Sequence, residues 1–181
     1  VFIFVPIILL TGRYFKLSKL SYTLITVFMS LHVVGSHYTY AEVPYDPWWQ
    51  AVTGHTFNAL FGWERNHFDR FVHLAYGLLL TPVFNELLGR VVRVRSAVWM
   101  CVLSASFMGL HAMVYELVEW ATALVVAPEL GAAYLGTQGD VWDAHKDMAL
   151  AVLGNAITLA YQTLRQRLPL AGPDWQPAAR P

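Results

Sequence analysis

The chain is short of charge and nearly empty of cysteine. Only 13% of its 181 residues are Asp, Glu, Lys or Arg, against 56% that are hydrophobic, whereas soluble domains carry about 25% charged residues. That deficit, together with long apolar runs, argues against an ordinary soluble domain and for a polytopic membrane protein. Twelve basic and twelve acidic residues leave a formal net charge of zero, so bulk electrostatics provides no footprint for nucleic acid or for an acidic substrate. The single cysteine, Cys101, excludes an intrachain disulfide and a thiolate metal cluster, and its apolar surroundings make it a packing residue. No internal repeat is present, and the length suits one bundle. Residues 1–167 read as a single transmembrane helical domain and residues 168–181 as a Pro-rich cytoplasmic tail.

The first residues, VFIFVPIILLTG, lack a basic n-region and a small-residue cleavage site, and so do not read as a signal peptide. They are too short to span alone and read as the exit end of a first span whose beginning is absent. Four further apolar runs, at residues 20–38, 66–88, 97–126 and 140–162, complete an all-α bundle of about five spans. Basic residues cluster in three of the links: Arg13, Lys16 and Lys19; Arg90, Arg93 and Arg95; Arg165 and Arg167. The positive-inside rule makes these segments cytoplasmic and turns the other two loops outward. Trp99 and Trp120 bracket one span as interfacial anchors, roughly 31 Å apart by helical rise. Within the long outer loop, DPWWQAVTGHTFNALFGW has Asp46 as a candidate N-cap and Pro47 at the first helical position. Its apolar Trp48, Trp49, Val52, Leu60 and Phe61 suit an interfacial helix, either a plain cover or a substrate gate.

The polar residues within the spans gather in the outward half. His32, Ser36 and His37 end the second span, Asn66, His67, Asp69, Arg70 and His73 open the third, and His111, Tyr115, Glu116 and Glu119 lie in the fourth. Asp140, Asp143, His145, Lys146 and Asp147 open the fifth. Spacings of three and four place Asp69 with His73, Glu116 with Glu119, and Asp140 with Asp143 and Asp147, each set on one helix face. Asp140 at a helix start is explained in part as a cap. His37 is rotated off the face shared by His32 and Ser36, and packing against Gly35 accounts for Ser36. His55 and His145 are expected to be solvated or interfacial.

Carboxylates in a span cost about 2.5 to 3.5 kcal/mol each at its centre and need compensation. Two arrangements supply it. Arg70 and Lys146 can neutralise two of them while His and Tyr side chains satisfy the rest. Alternatively Asp69, His73, Glu116, Glu119, Asp143 and Asp147 bind one or two divalent cations, as acidic and imidazole ligands do in bundle cores. His32, His37, His67, His111, Tyr115 and Asp140 are additional candidates for such a site.

The segments HVVGSHYTYAEVPY, RNHFDRFVH, YELVEW and YLGTQGDVWDAHKDM resemble the YjdF-like family, a domain-of-unknown-function group of bacterial inner-membrane proteins. The likeness runs from His32 to Met148 and implies a multi-pass protein of the bacterial inner membrane, without supplying an activity. The stretch KDMALAVLGNA is similar to the acidic, small-residue helix of VanZ-like membrane proteins. The residues themselves favour a metal-assisted hydrolase or transferase acting on a lipid-linked or amphipathic substrate at the outer leaflet. In that scheme Glu116, Glu119 and Asp147 serve as ligands or bases, and Arg70 and Lys146 clamp an anionic head group. A cation- or proton-coupled transporter is the alternative, although the inward halves offer only Ser104, Ser106, Asn155 and Thr158 to continue a path. A third possibility is a structural membrane protein with a buried salt-bridge network.

Overall fold

The structure is a computed structural model that describes Gly12, residues 15–125 and residues 137–167. The first-span stub at residues 1–11, most of the link before Thr137 and the Pro-rich tail lie outside the described residues. Among those described are six α-helices and no strand: α1 (Lys19–His37), α2 (Tyr45–Thr53), α3 (Phe57–Phe61), α4 (Phe68–Leu87), α5 (Ala97–Val125) and α6 (Asp143–Arg167). A π turn, Leu88–Val92, closes α4. Two helices are both long and apolar enough to cross a membrane, Phe68–Val92 and Ala97–Val125. The other two long described helices, α1 with 19 residues and α6 with 25, also have the length of a span, and α6 is the less apolar of the two.

Local chemistry sets the helix starts. Ser18 Oγ accepts the Ser21 amide at 3.1 Å to begin α1, and Asn66 Oδ1 accepts the Phe68 amide at 2.9 Å to begin α4. The expected single interfacial helix is two short ones, because Gly54 takes a left-handed φ of 79° and ends α2. Asp46 is not its N-cap. Tyr45 already lies in the first turn, and the Asp46 carboxylate instead accepts the Asn58 amide at 2.9 Å, bracing α3 from its neighbour. Trp48, Trp49, Val52, Leu60 and Phe61 are exposed on this pair of helices.

Helix α4 is the centre of the molecule, packed between α1 and α6, and α5 lies against α6. Its contact with α6 is made backbone to backbone. A Cβ on Gly77 would collide with the Ala151 carbonyl oxygen and stand 2.8 Å from Gly154 Cα. One on Gly154 would stand 2.9 Å from the Leu78 amide nitrogen. Small residues permit this approach, which gains dispersion contacts where helices cannot rely on a hydrophobic drive to associate.

Just beyond the crossing, Pro82 interrupts α4. Proline has no N–H to offer the Leu78 carbonyl four residues back. Thr158 of α6 fills that place, its hydroxyl donating to Leu78 O at 3.1 Å. Beside it Asn155 Nδ2 donates to Thr81 Oγ1 at 2.8 Å and to Ser104 Oγ at 3.0 Å, while Thr81 donates to Gly77 O at 2.6 Å. Thr81, Ser104 and Asn155 are at most 1% exposed. These polar residues are thus spent on joining α4, α5 and α6.

Replacing Gly77 or Gly154 by alanine must part the two helices. Overpacking of this kind costs about 1 to 3 kcal/mol, so each variant is expected to melt below the native protein in scanning fluorimetry. Gly109→Ala, whose Cβ would meet only Val152 Cγ2 at an ordinary 3.7 Å, should melt at or above it.

Candidate functional site

The crossing brings the first turns of α4 and α6 together, and the acidic residues there divide into two groups. Nearer the helix ends, Asp143 Oδ1 receives Arg65 Nη1 at 2.9 Å and Arg70 Nη2 at 3.0 Å. Asp140 Oδ2 pairs with Arg70 and, at 2.6 Å, with Lys146 Nζ. The backbone ties the same two ends: Asn66 N–H donates to Gln138 Oε1 at 2.9 Å, Gln138 Nε2 returns a bond to Asn66 O at 3.0 Å, and Arg65 Nη1 reaches Thr137 O at 3.0 Å. Two carboxylates against three cations make this group self-sufficient.

Asp140, outside the helix, is held well below the usual carboxylate range, first by Lys146, then by the Trp142 amide and Arg70. His67 precedes α4 beside Trp63. Burial, and then the Arg70 and Arg65 guanidiniums, lower its pKa, so a neutral ring accepts from Arg70 at 3.4 Å.

One turn deeper the arrangement is different. Asp69, His73 and Asp147 are 8, 7 and 2% exposed, and each offers a ligand atom within 4.8 Å of the other two. His73 Nε2 lies 3.6 Å from Asp69 Oδ1 and 3.4 Å from Glu116 Oε1 of α5. Glu116 Oε1 and Asp147 Oδ1 are buried without a hydrogen-bond partner. Glu119, 8% exposed, faces Asp69 and Asp147. Buried carboxyl oxygens are rarely left unpaired, and the ion pairs of Arg70 and Lys146 go to Asp140 and Asp143 of the outer group.

Below Asp69 and His73 a cavity of about 590 Å³ runs along α4, flanked by α1 and α5. Its upper wall is polar: His32, Tyr40, Asp69, His73, His111 and Tyr115. Tyr115 meets His73 edge-on at 5.7 Å, and His111 stacks on Tyr76 at 5.2 Å. Tyr40 folds back over α1 from a left-handed φ of 56° and hydrogen-bonds His32 Nδ1. Burial pushes its phenol up to about 12, so the hydroxyl keeps its proton. Further along, Leu80, Val83, Phe84 and Leu87 line an apolar passage.

The sequence-derived candidates therefore separate. Asp69, His73, Asp147, Glu116 and Glu119 share the inner group; Arg70, Lys146, Asp140 and Asp143 share the outer one. His32, His111 and Tyr115 line the cavity, while His37 is exposed against Tyr38 and His67 sits at the helix entrance. Three residues escaped the sequence reading. Tyr76 was within reach, three positions after His73 on the Asp69 face, but a tyrosine in an apolar run draws no notice. Arg65 and Tyr40 sit in irregular backbone, where no periodicity announces a direction.

The lowered pKa of Asp140 makes a signed prediction. A carboxylate that binds its proton less readily when folded contributes stability above its unfolded pKa, near 4, and loses it as pH falls. Asp140→Asn should therefore melt below the native protein at pH 7, and the gap should close as both are titrated below about pH 4. A gap independent of pH would show that the ion pairs do not hold this end.

A family model described as predicted membrane protein, DUF2238, matches residues 1–167. The chain is 36% identical over 162 residues to the inner membrane protein YjdF of Escherichia coli strain K12, an alignment covering 89% of this chain and 73% of that one. No solved structure matches it. Helices of spanning length, the acidic motifs on them and these two likenesses agree: the chain belongs to the DUF2238 family of predicted membrane proteins.

Proposed function

We propose that the inner group of Asp69, His73 and Asp147 holds a divalent cation and that the protein is a metal-assisted hydrolase or transferase of an amphipathic substrate. The observation that carries this reading is Asp147, 2% exposed, whose Oδ1 has no hydrogen-bond partner and whose carboxylate offers an oxygen within 4.8 Å of ligand atoms of Asp69 and His73. Clustered buried carboxylates, two of whose oxygens have no hydrogen-bond partner, call for a positive charge. One imidazole with carboxylates suits Zn²⁺ or Mn²⁺ better than Ca²⁺, which prefers oxygen alone. The ion would polarise an ester or phosphoryl oxygen and acidify a bound water. Glu116, 3.4 Å from His73, would act as the base that takes the water's proton and as the acid that gives it to the leaving oxygen. Glu119 would adjust the charge of the site, and Arg65 and Arg70 would attract an anionic head group to its entrance.

In the same reading α1 and α6 cross the membrane with α4 and α5, and the first-span stub brings the total to about five. The basic Arg90, Arg93, Arg95, Arg165 and Arg167 face the cytoplasm, which turns the acidic end to the periplasmic side of a bacterial inner membrane. The aromatic surface of α2 and α3 then rests in the interface as a cover. A transporter is less well supported, because Thr81, Ser104, Asn155 and Thr158 below the site are engaged in joining helices. A structural role suits the outer group alone, whose ion pairs are complete.

Elemental analysis of the purified full chain tests the metal. About one Zn²⁺ or Mn²⁺ per chain is expected in the native protein, little in Asp147→Ala and reduced amounts in Glu116→Ala. Asp140→Asn should retain it. A native protein that stays metal-free after incubation with either ion, and shows a protonated-carboxyl infrared band that Asp147→Ala removes, would replace the catalytic reading with a proton-binding one.

A further inference from the structure

Beneath the acidic group α4, α5 and α6 continue to face one another, layer by layer. Asp69, His73, Tyr76 and Leu80 follow at four, three and four residues along one face of α4. On α5 Ala112 stands four residues before Glu116, and on α6 Ala151 stands four after Asp147. Tyr76, Met108, Ala112 and Ala151 form one buried cluster, against which Met148, the neighbour of Asp147, is packed. Tyr76 thus belongs to the layer one turn below the acids, about 5.4 Å along the helices. It also lines the cavity whose head is formed by Asp69 and His73, so this layer is reached from there.

The other three members of the cluster are apolar, and a phenylalanine would pack among them as well. Tyrosine adds a hydroxyl, and that hydroxyl is buried without a hydrogen-bond partner in a residue only 6% exposed. A buried phenol ordinarily finds one, and leaving it unmade costs stability. The polar layer below does not supply it, because Asn155 bonds Thr81 and Ser104, and Thr81 bonds its own helix. Long side chains on a helix lean towards its first turn, which on α4 is the acidic end. That direction carries the Tyr76 hydroxyl towards the layer of Glu116 Oε1 and Asp147 Oδ1, two further buried oxygens without partners. Three such oxygens, one from each helix and in adjacent layers, mark a place for a ligand atom. Ionised carboxylates can only accept, so the phenol is the donor among the three.

We infer that Tyr76 is a further residue of the proposed site, donating a hydrogen bond to the ligand oxygen that the cation polarises. The inference rests on the hydrolase or transferase reading, in which that oxygen belongs to the ester or phosphoryl group and gathers charge as the reaction proceeds. Holding the metal is a separate task, assigned to Asp69, His73 and Asp147.

The full chain and Tyr76→Phe are stripped of metal, reloaded with whichever of Zn²⁺ or Mn²⁺ the native protein retains, and titrated calorimetrically with inorganic phosphate as the probe. Both should hold equal amounts of metal. Tyr76→Phe should bind phosphate roughly tenfold more weakly, the loss expected for one hydrogen bond to a charged group. In the metal-free state it should melt at or above the native protein, since it sheds a hydroxyl that has no partner. Equal phosphate affinity, or no phosphate binding by the metal-loaded native chain, overturns the inference and leaves the metal site standing. A variant that fails to assemble, melts well below the native protein or loses its metal assigns the hydroxyl to the fold or to the metal, and overturns it as well. A native chain that retains neither ion removes the metal reading and this inference with it.

Discussion

The structure depends on how closely α4 and α6 touch. With Gly77 and Gly154 in backbone contact, the two helices have essentially one depth at which they fit, and everything above inherits that register. His73 lies one turn above Gly77, and Asp147 two turns above Gly154. Were the crossing displaced by a turn along either helix, Asp69, His73 and Asp147 would no longer share a neighbourhood. The proximity of three groups that electrostatics alone would hold apart is therefore imposed by packing elsewhere, as is usual where polar sites are built in apolar surroundings.

Two adjacent layers meet the expense of buried charge in opposite ways. The outer layer is closed by Arg65, Arg70 and Lys146, each bonded to a carboxylate of α6 or the turn before it. In the inner layer Glu116 Oε1 and Asp147 Oδ1 are buried without a hydrogen-bond partner. A structure that simply tolerated acids would distribute its cations among all of them. Here the two unpartnered oxygens lie beside Asp69 and His73, which line the head of the cavity along α4.

Much of this was legible in the residues. The run at residues 97–126 is α5 to within one residue, and the spacing of Asp69 with His73 did mark a common face. What periodicity could not reveal was direction across helices. Asp143 and Asp147 are four apart and read as two ligands on one helix face, yet one faces Arg65 and Arg70 and the other faces Asp69 and His73. The partner of Asp143 that mattered most to its fate, Arg65, enters from a loop nearly eighty residues earlier. Asp46 was misjudged for a related reason: its capping bond goes to the next helix, not its own. Short-range rules are silent about such exchanges.

The bond from Thr158 to the Leu78 carbonyl carries a consequence for how this sequence can change. Thr158 is useful because Pro82 has withdrawn a donor from α4, and Pro82 is tolerable because Thr158 stands across from the vacancy it creates. Losing the threonine alone strands a carbonyl in an apolar interior, whereas losing the proline alone restores the backbone donor, which the carbonyl's second lone pair can accept beside the hydroxyl. The two positions are 76 residues apart, yet the dependence between them runs one way: in relatives that keep the proline, a donor is expected to persist opposite the Leu78 carbonyl.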